Sequence, residues 1–203
     1  MRDQFLRDVL ANKNNREILD RWSELNLRDS WLVAGCLFQA VWNLRSGLPP
    51  DAQIKDYDLF YFDDSDLSPE AERLVQARVD GLFTDQRVVV EAKNQARVHL
   101  WYQEHFGHPY PKLTCTTDGI DRFLIPSTCV GVRPVHTGYE IYAPNGLELV
   151  YKGVLSPNPL VDHRDLFLAK SRSYRERWPW LRESSGLLVV EDAHPPTSAS
   201  SAL

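Results

Sequence analysis

Two carboxylates one residue apart on a strand constrain a fold strongly, because alternation sends both to the same face of a sheet. Residues 54–62, IKDYDLFYF, carry such a pair: Asp56 and Asp58 share one face, while Tyr57 and Leu59 take the other. Neighbouring carboxylates repel unless a cation neutralises them, and hard oxygen donors of this kind suit Mg²⁺, or Mn²⁺ in its place. Upstream, Trp31 to Ala34 reads as a short apolar strand and Gly35-Cys36 as a tight turn. Leu37 to Leu44 then reads as a helix with Leu37, Val41 and Leu44 on one stripe, stopped by Gly47-Leu48-Pro49-Pro50. Backbone N–H groups at such a turn, together with the positive end of the helix, form a ready site for phosphate. A phosphate cradle followed by a metal-binding Asp-x-Asp strand is equipment for nucleotide chemistry.

A two-metal site needs a third carboxylate. Arg87 to Glu91, RVVVE, reads as a buried β-branched strand, and Glu91 at its end is the best-placed acid. In such a site Asp56 and Asp58 bridge both ions, and Glu91 completes the one on the nucleophile side or serves as base for the acceptor hydroxyl. Lys93, Asn94, Gln95 and Arg97 follow directly. They are placed either to touch base, ribose or acceptor, or to cap a helix and tie loops together. Arg97 and Lys170 are cations suited to triphosphate charge, although a solvated helical face explains Lys170 as well.

The remaining chain reads as a frame for these strands. Residues 1–27 form an amphipathic helical pair broken at Asn12 to Asn15, with Asn14 or Asn15 as N-cap of the second helix. Ser68-Pro69-Glu70 starts a helix running to about Phe83. Lys93 to Gln103 is a helix or a loop entering one, and Thr117 to Phe123 a short helix. Thr128 to Val135 and Tyr139 to Tyr142 make a hairpin around His136-Thr137-Gly138. Leu147 to Lys152 and the basic stretch His163 to Arg177 are helical, and Trp178-Pro179-Trp180 closes the fold. The expected architecture is α/β (α+β): a mixed β-sheet flanked by helices, in one domain over residues 1–181. Residues 182–203, ending HPPTSASSAL, are expected to be a disordered tail.

Bulk properties narrow the class. The net charge of −5 argues against bulk nucleic-acid binding, which rests on Lys and Arg neutralising phosphates. Cys36, Cys115 and Cys129 are too few and too far apart for a disulfide framework or a C-x-x-C zinc pair. No signal-peptide core or membrane-length apolar run is present, so a cytoplasmic location without membrane attachment is expected.

The ordered pattern of strand, Gly-Cys turn, helix, Asp-x-Asp strand, helix and strand with Glu resembles the DNA polymerase β-like nucleotidyltransferase superfamily. Within it, AGCLFQAVW, KDYDLFYFD, EAKNQARVHLW, YAPNGLELV and RWPWL are similar to a bacterial family of small nucleotidyltransferase-like proteins. The resemblance spans residues 31 to 181. It implies a Mg²⁺-dependent transfer of NMP from an NTP to a hydroxyl acceptor, which it does not name: small molecule, protein or RNA. It further implies Asp56, Asp58 and Glu91 as metal ligands and Gly35-Cys36 as the phosphate turn. Cys36 stands where the superfamily usually has Ser; a thiol is the weaker donor, so phosphate binding would lean on backbone N–H groups. Two other readings compete. Glu91-Ala92-Lys93 with Asp58 or Asp80 upstream also fits a PD-(D/E)xK-type Mg²⁺-dependent nuclease, and a non-catalytic nucleotide- or partner-binding module would keep the fold without turnover.

Overall fold

The computed structural model describes residues 1–84 and 88–184. The chain opens with three helices, α1 (Arg2–Ala11), α2 (Lys13–Asp20) and α3 (Trp22–Leu25). Asn12 is the N-cap of α2, its Oδ1 accepting from the N–H groups of Asn14 (3.0 Å) and Asn15 (3.4 Å). The cap thus falls earlier than the sequence reading placed it, because Asn14 and Asn15 supply the N–H groups being capped rather than the cap itself. Their amides do other work: Asn14 donates to the Tyr57 hydroxyl (2.8 Å) and Asn15 to the Cys36 carbonyl (2.8 Å). The polar break therefore ties the helical pair to the two elements that carry the Gly-Cys turn and the Asp pair.

Those elements follow in order. Strand β1 (Trp31–Val33) leads into α4 (Gly35–Arg45), and β2 (Asp56–Tyr61) into α5 (Pro69–Leu82), capped by the Ser68 hydroxyl accepting from Ala71 N–H at 3.1 Å. Strand β3 (Val89–Asn94) runs parallel to β2, with Asp58 opposite Glu91 and Tyr61 opposite Asn94. It extends beyond the expected end at Glu91, which is consequently a mid-strand residue; Arg87 lies outside the described residues. The extension is held from α5, where Gln76 donates to Val90 C=O (2.8 Å) and accepts from Ala92 N–H (2.8 Å). Glu72 accepts from Asn94 N–H at 2.8 Å, so side chains of α5 satisfy an exposed sheet edge.

After β3, a 3-10 turn (Gln95–Arg97) enters α6 (Val98–Phe106), followed by α7 (Thr116–Ile120). The hairpin β4 (Gly131–Val135) and β5 (Gly138–Tyr142) forms as expected. Then come α8 (Glu148–Lys152), β6 (Val154–Leu155), α9 (Arg164–Arg177) and β7 (Arg182–Glu183). The main sheet has strand order β3-β2-β1-β4-β5, with only the β2–β3 pair parallel. This is the mixed sheet flanked by helices that the sequence implied. A small second sheet pairs β6 with β7, which begins at Arg182 where the tail was expected to begin; residues 185–203 lie outside the described residues.

The two faces of the main sheet differ. Tyr57, Leu59 and Tyr61 point into the large core with Phe5, Val9, Leu37, Val41 and Trp42. Trp31, Val33 and Phe60 face a smaller cluster roofed by Ile120 and Phe123, and Asp58 shares that face. Gly131 lets α7 sit close, since a Cβ there would come within 2.9 Å of Ile120 and 3.2 Å of Trp31. The closing RWPWL segment locks α4: Trp178 Nε1 donates to Asn43 Oδ1 (3.0 Å), and the Arg45 guanidinium lies over the Trp180 ring at 4.3 Å. Among the described residues no helix is long and apolar enough to cross a membrane.

Candidate functional site

Where β1 turns into α4, the chain takes an unusual conformation. Ala34 has φ +61° and ψ −139°, a region that L residues avoid and that is held only where surrounding structure over-determines it. The kink aims the first turn of α4 into a cleft of about 430 Å³. Ala34, Gly35, Phe38 and Gln39 line it from that side, Asp56, Asp58 and Phe60 from β2, and Lys170 and Tyr174 from α9. Tyr102 and Phe106 of α6, with Arg122 and Phe123 beyond α7, complete the walls.

Asp58 is the most perturbed acid in the cleft. Val33, its β-ladder partner on one side, is fully buried, and Glu91 is its partner on the other. Burial first, then the charges of Asp56 and Glu91, push its pKa up to about 7, against smaller opposing contributions from Lys93 and Lys170. The three predicted acids are therefore brought onto one sheet face. Glu91 is half-exposed and pairs with Lys93 at 3.3 Å; it adjoins Asp58 on the sheet, but neither it nor Lys93 lines the cleft.

The carboxylates suit a divalent cation of a particular kind. Among the described residues no group of three or more His, Cys, Asp or Glu side chains is gathered tightly enough to enclose a metal ion. Mg²⁺ is ordinarily held by one or two carboxylates, waters and substrate phosphates rather than by an all-protein cage. Asp56 and Asp58 fit that donor set: hard oxygens, adjacent, and mutually repulsive in the absence of a positive charge.

Other predicted site residues sit elsewhere. Gly35 lines the cleft, but Cys36 is fully buried, with its thiol donating to Val33 C=O at 3.2 Å and its pKa raised mainly by burial. Its side chain is thus turned away from the cleft, and only its backbone is available at the turn. Asn94 is buried and binds both backbone groups of Asp63 (3.1 and 2.8 Å) while capping the 3-10 turn through Ala96 N–H (3.1 Å). Arg97 is also buried, donating to Leu67 C=O (2.8 Å) and ion-paired with Glu72. Asn94 ties the end of β3 to the loop after β2, and Arg97 ties the 3-10 turn to α5 and the loop before it. Lys170, named from sequence only as a cation suited to triphosphate, lines the cleft. Tyr102, Phe106, Arg122 and Phe123 were not singled out; the density of rings from His99 to Tyr110 was the signal for the first two.

A nucleotidyltransferase family model matches residues 20–182. The chain belongs to the nucleotidyltransferase family. A solved structure described as revealing a CCA-adding enzyme head domain aligns with a TM-score of 0.67 and 26% sequence identity, over 85% of this chain and 90% of its own. No curated protein matches. The fold and the superfamily expected from residues 31 to 181 are thereby borne out, and nucleotidyl transfer is the general chemistry of the family.

Proposed function

We propose that this nucleotidyltransferase moves NMP from a Mg²⁺-bound NTP to a hydroxyl acceptor in the cleft between β2 and α9, within a catalytic domain of residues 1–181. The observation that carries this reading is the pairing of Asp56 and Asp58 in the cleft, opposite Lys170 and beside the N-terminus of α4, with Glu91 next to Asp58 on the same sheet face. Asp56 and Asp58 would hold the cation, and a divalent ion bound there would supply positive charge to the phosphates and lower the pKa of the attacking hydroxyl.

The chain's own groups do the rest. Lys170 and Arg122 attract the triphosphate, and the N–H groups opening α4 bind its oxygens. Phe60, Phe123 and Tyr102 offer flat apolar walls to the base. The acceptor oxygen attacks the α-phosphorus in line, the bond to the bridging oxygen of the β-phosphate breaks, and pyrophosphate leaves. Glu91, half-exposed and next to Asp58, takes the hydroxyl proton.

Thermal unfolding of wild type and Asp58→Asn with each NTP, with and without Mg²⁺, tests the reading. A ligand at about a hundred times its Kd stabilises by ~2.7 kcal/mol, which for a chain of this size is roughly 5–10 °C. The expected shift needs both Mg²⁺ and Asp58. No shift with any NTP would overturn the proposal.

A further inference from the structure

A hydrogen bond joins helix α6 to the start of α9: the Tyr102 hydroxyl lies 2.9 Å from Nε2 of His163, which is buried. Tyr102 is also a wall of the cleft, its ring centred 4.6 Å from that of Phe106 and 4.3 Å from that of Tyr110. His163 is the N-cap of α9, its carbonyl accepting from Phe167 N–H at 2.9 Å. Leu166, Lys170 and Tyr174 of that helix line the same cleft. One imidazole therefore links an aromatic cleft wall to the helix that presents Lys170.

The surroundings of His163 select its neutral form. The His108 ring is centred 4.1 Å away and set edge-on, so two imidazolium ions there would repel each other. The positive end of a helix, where His163 stands, disfavours a cation as well. Burial first, then His108, lower its pKa below the ordinary histidine value, against an opposing contribution from Asp162. Tyr110 and Arg122 border the same inner pocket of about 290 Å³, and Arg122 adds positive charge to it. On the outer side Arg164, Asp165 and His105 border the groove that His163 shares, where Arg164 and Asp165 offset each other. A neutral imidazole keeps one nitrogen free to accept and a phenol is a good donor. The bond thus runs from the Tyr102 hydroxyl to Nε2, with the ring proton on Nδ1.

We propose that His163 is a positioning residue for the cleft: neutral, it accepts from the Tyr102 hydroxyl and fixes both the aromatic wall of α6 and the first turn of α9, and its protonation releases them. The effect on nucleotide rests on the nucleotidyl-transfer reading; the histidine contact itself does not. A proton taken up from solvent leaves an N–H on both ring nitrogens, so Nε2 no longer accepts and the Tyr102 hydroxyl must turn away. The new cation then faces His108 and the N-terminus of α9, and it is relieved only when α6 and α9 part. The folded state favours the neutral ring. Its contribution to stability is therefore fully present above the ordinary histidine range and is lost as the pH falls through the lowered folded value. This sign is opposite to that of Asp58.

The test compares the full chain as wild type, His163→Gln, His163→Leu and Tyr102→Phe. Gln offers a neutral acceptor that does not titrate, and Leu offers none. Melting midpoints without ligand are read from pH 8 to pH 5.5, and Mg²⁺–NTP affinities by titration calorimetry at pH 8. On acidification the wild-type midpoint should fall by about 2–4 °C more than that of His163→Gln. That difference cancels the Asp58 contribution, which both proteins share. At pH 8, His163→Gln should bind NTP within about twofold of wild type, and His163→Leu and Tyr102→Phe about fivefold more weakly. Parallel midpoints for wild type and His163→Gln overturn the inference, and so does an unchanged NTP affinity in His163→Leu. Should the Leu variant fail to fold, Tyr102→Phe carries the same comparison, since it keeps the ring and removes only the hydroxyl. No NTP binding by wild type overturns the nucleotidyl-transfer reading instead, and the midpoint difference alone then decides the histidine contact.

Discussion

Asp58 and Glu91 are partners in the parallel ladder of β2 and β3, and their side chains leave the sheet on the same face. On its other side Asp58 meets buried Val33, so it is pressed between an apolar neighbour and a like charge. A protein that needed only stability would not keep a carboxylate there, and its titration is the most direct handle on the site.

The pH dependence of stability follows from that placement. The Asp58 pKa rises from 3.8 to about 7 on folding, so the folded state favours the protonated carboxyl. The associated stabilisation is fully present below about pH 4 and is lost as the pH rises through about 7. Free of ligand, wild type should lose on the order of 2–4 kcal/mol from this source between pH 4 and 8. Urea unfolding of wild type and Asp58→Asn across that range isolates it: the difference between the two should change with pH. Parallel curves would show that Asp58 is not so perturbed.

Lys170 and Arg97 should behave oppositely. Lys170 is exposed on α9 and faces the cleft, so Lys170→Ala should leave the unfolding midpoint nearly unchanged and weaken NTP binding about tenfold. Arg97 is buried against Glu72, and Arg97→Ala strands that carboxylate at a cost of about 3 kcal/mol. Denaturant midpoints and NTP affinities of the two variants separate the roles. A normal midpoint for Arg97→Ala with lost NTP affinity would return Arg97 to the binding site.

Ala34 holds a conformation that glycine adopts without strain. Relief of that strain exceeds the extra chain entropy of glycine, so Ala34→Gly should stabilise by about 1 kcal/mol. The expected rise in Tm is roughly 2–4 °C. A lower Tm would show that the surrounding contacts, not the backbone, set the energy of the turn.

Cys36→Ser tests whether the thiol faces phosphate. The side chain is buried and already bonded to Val33 C=O, so a hydroxyl inherits that partner and NTP affinity should change by less than about threefold. Isothermal titration with Mg²⁺–NTP reads this directly. A tenfold gain in affinity would place the side chain at the phosphate instead. In the native protein Cys36 should also resist alkylation, which requires an accessible thiolate, whereas the partly exposed Cys115 should react.

Much of the frame was legible because it rests on local rules. Alternation in IKDYDLFYF set the faces of β2, Ser68-Pro69 set the start of α5, and Gly138 set the hairpin turn. The misplacements have equally local causes. Three asparagines in NKNN compete for one cap, and sequence alone does not say which amide is needed by Tyr57 and Cys36. The end of β3 was set too early because its last residues are polar, yet α5 satisfies their edge through Gln76 and Glu72.

By itself, the sequence determined which acids share a sheet face, the order of strands and helices around them, and the superfamily they resemble. These follow from period and spacing along the chain. Tertiary structure alone decided which polar residues meet the cleft. Arg97 and Lys170 are both cations near acids, but packing of α5 against β3 buries one in an ion pair, while the return of α9 over β2 delivers the other to Asp58. Residues more than a hundred positions apart are brought together only by packing, and no local pattern encodes that distance.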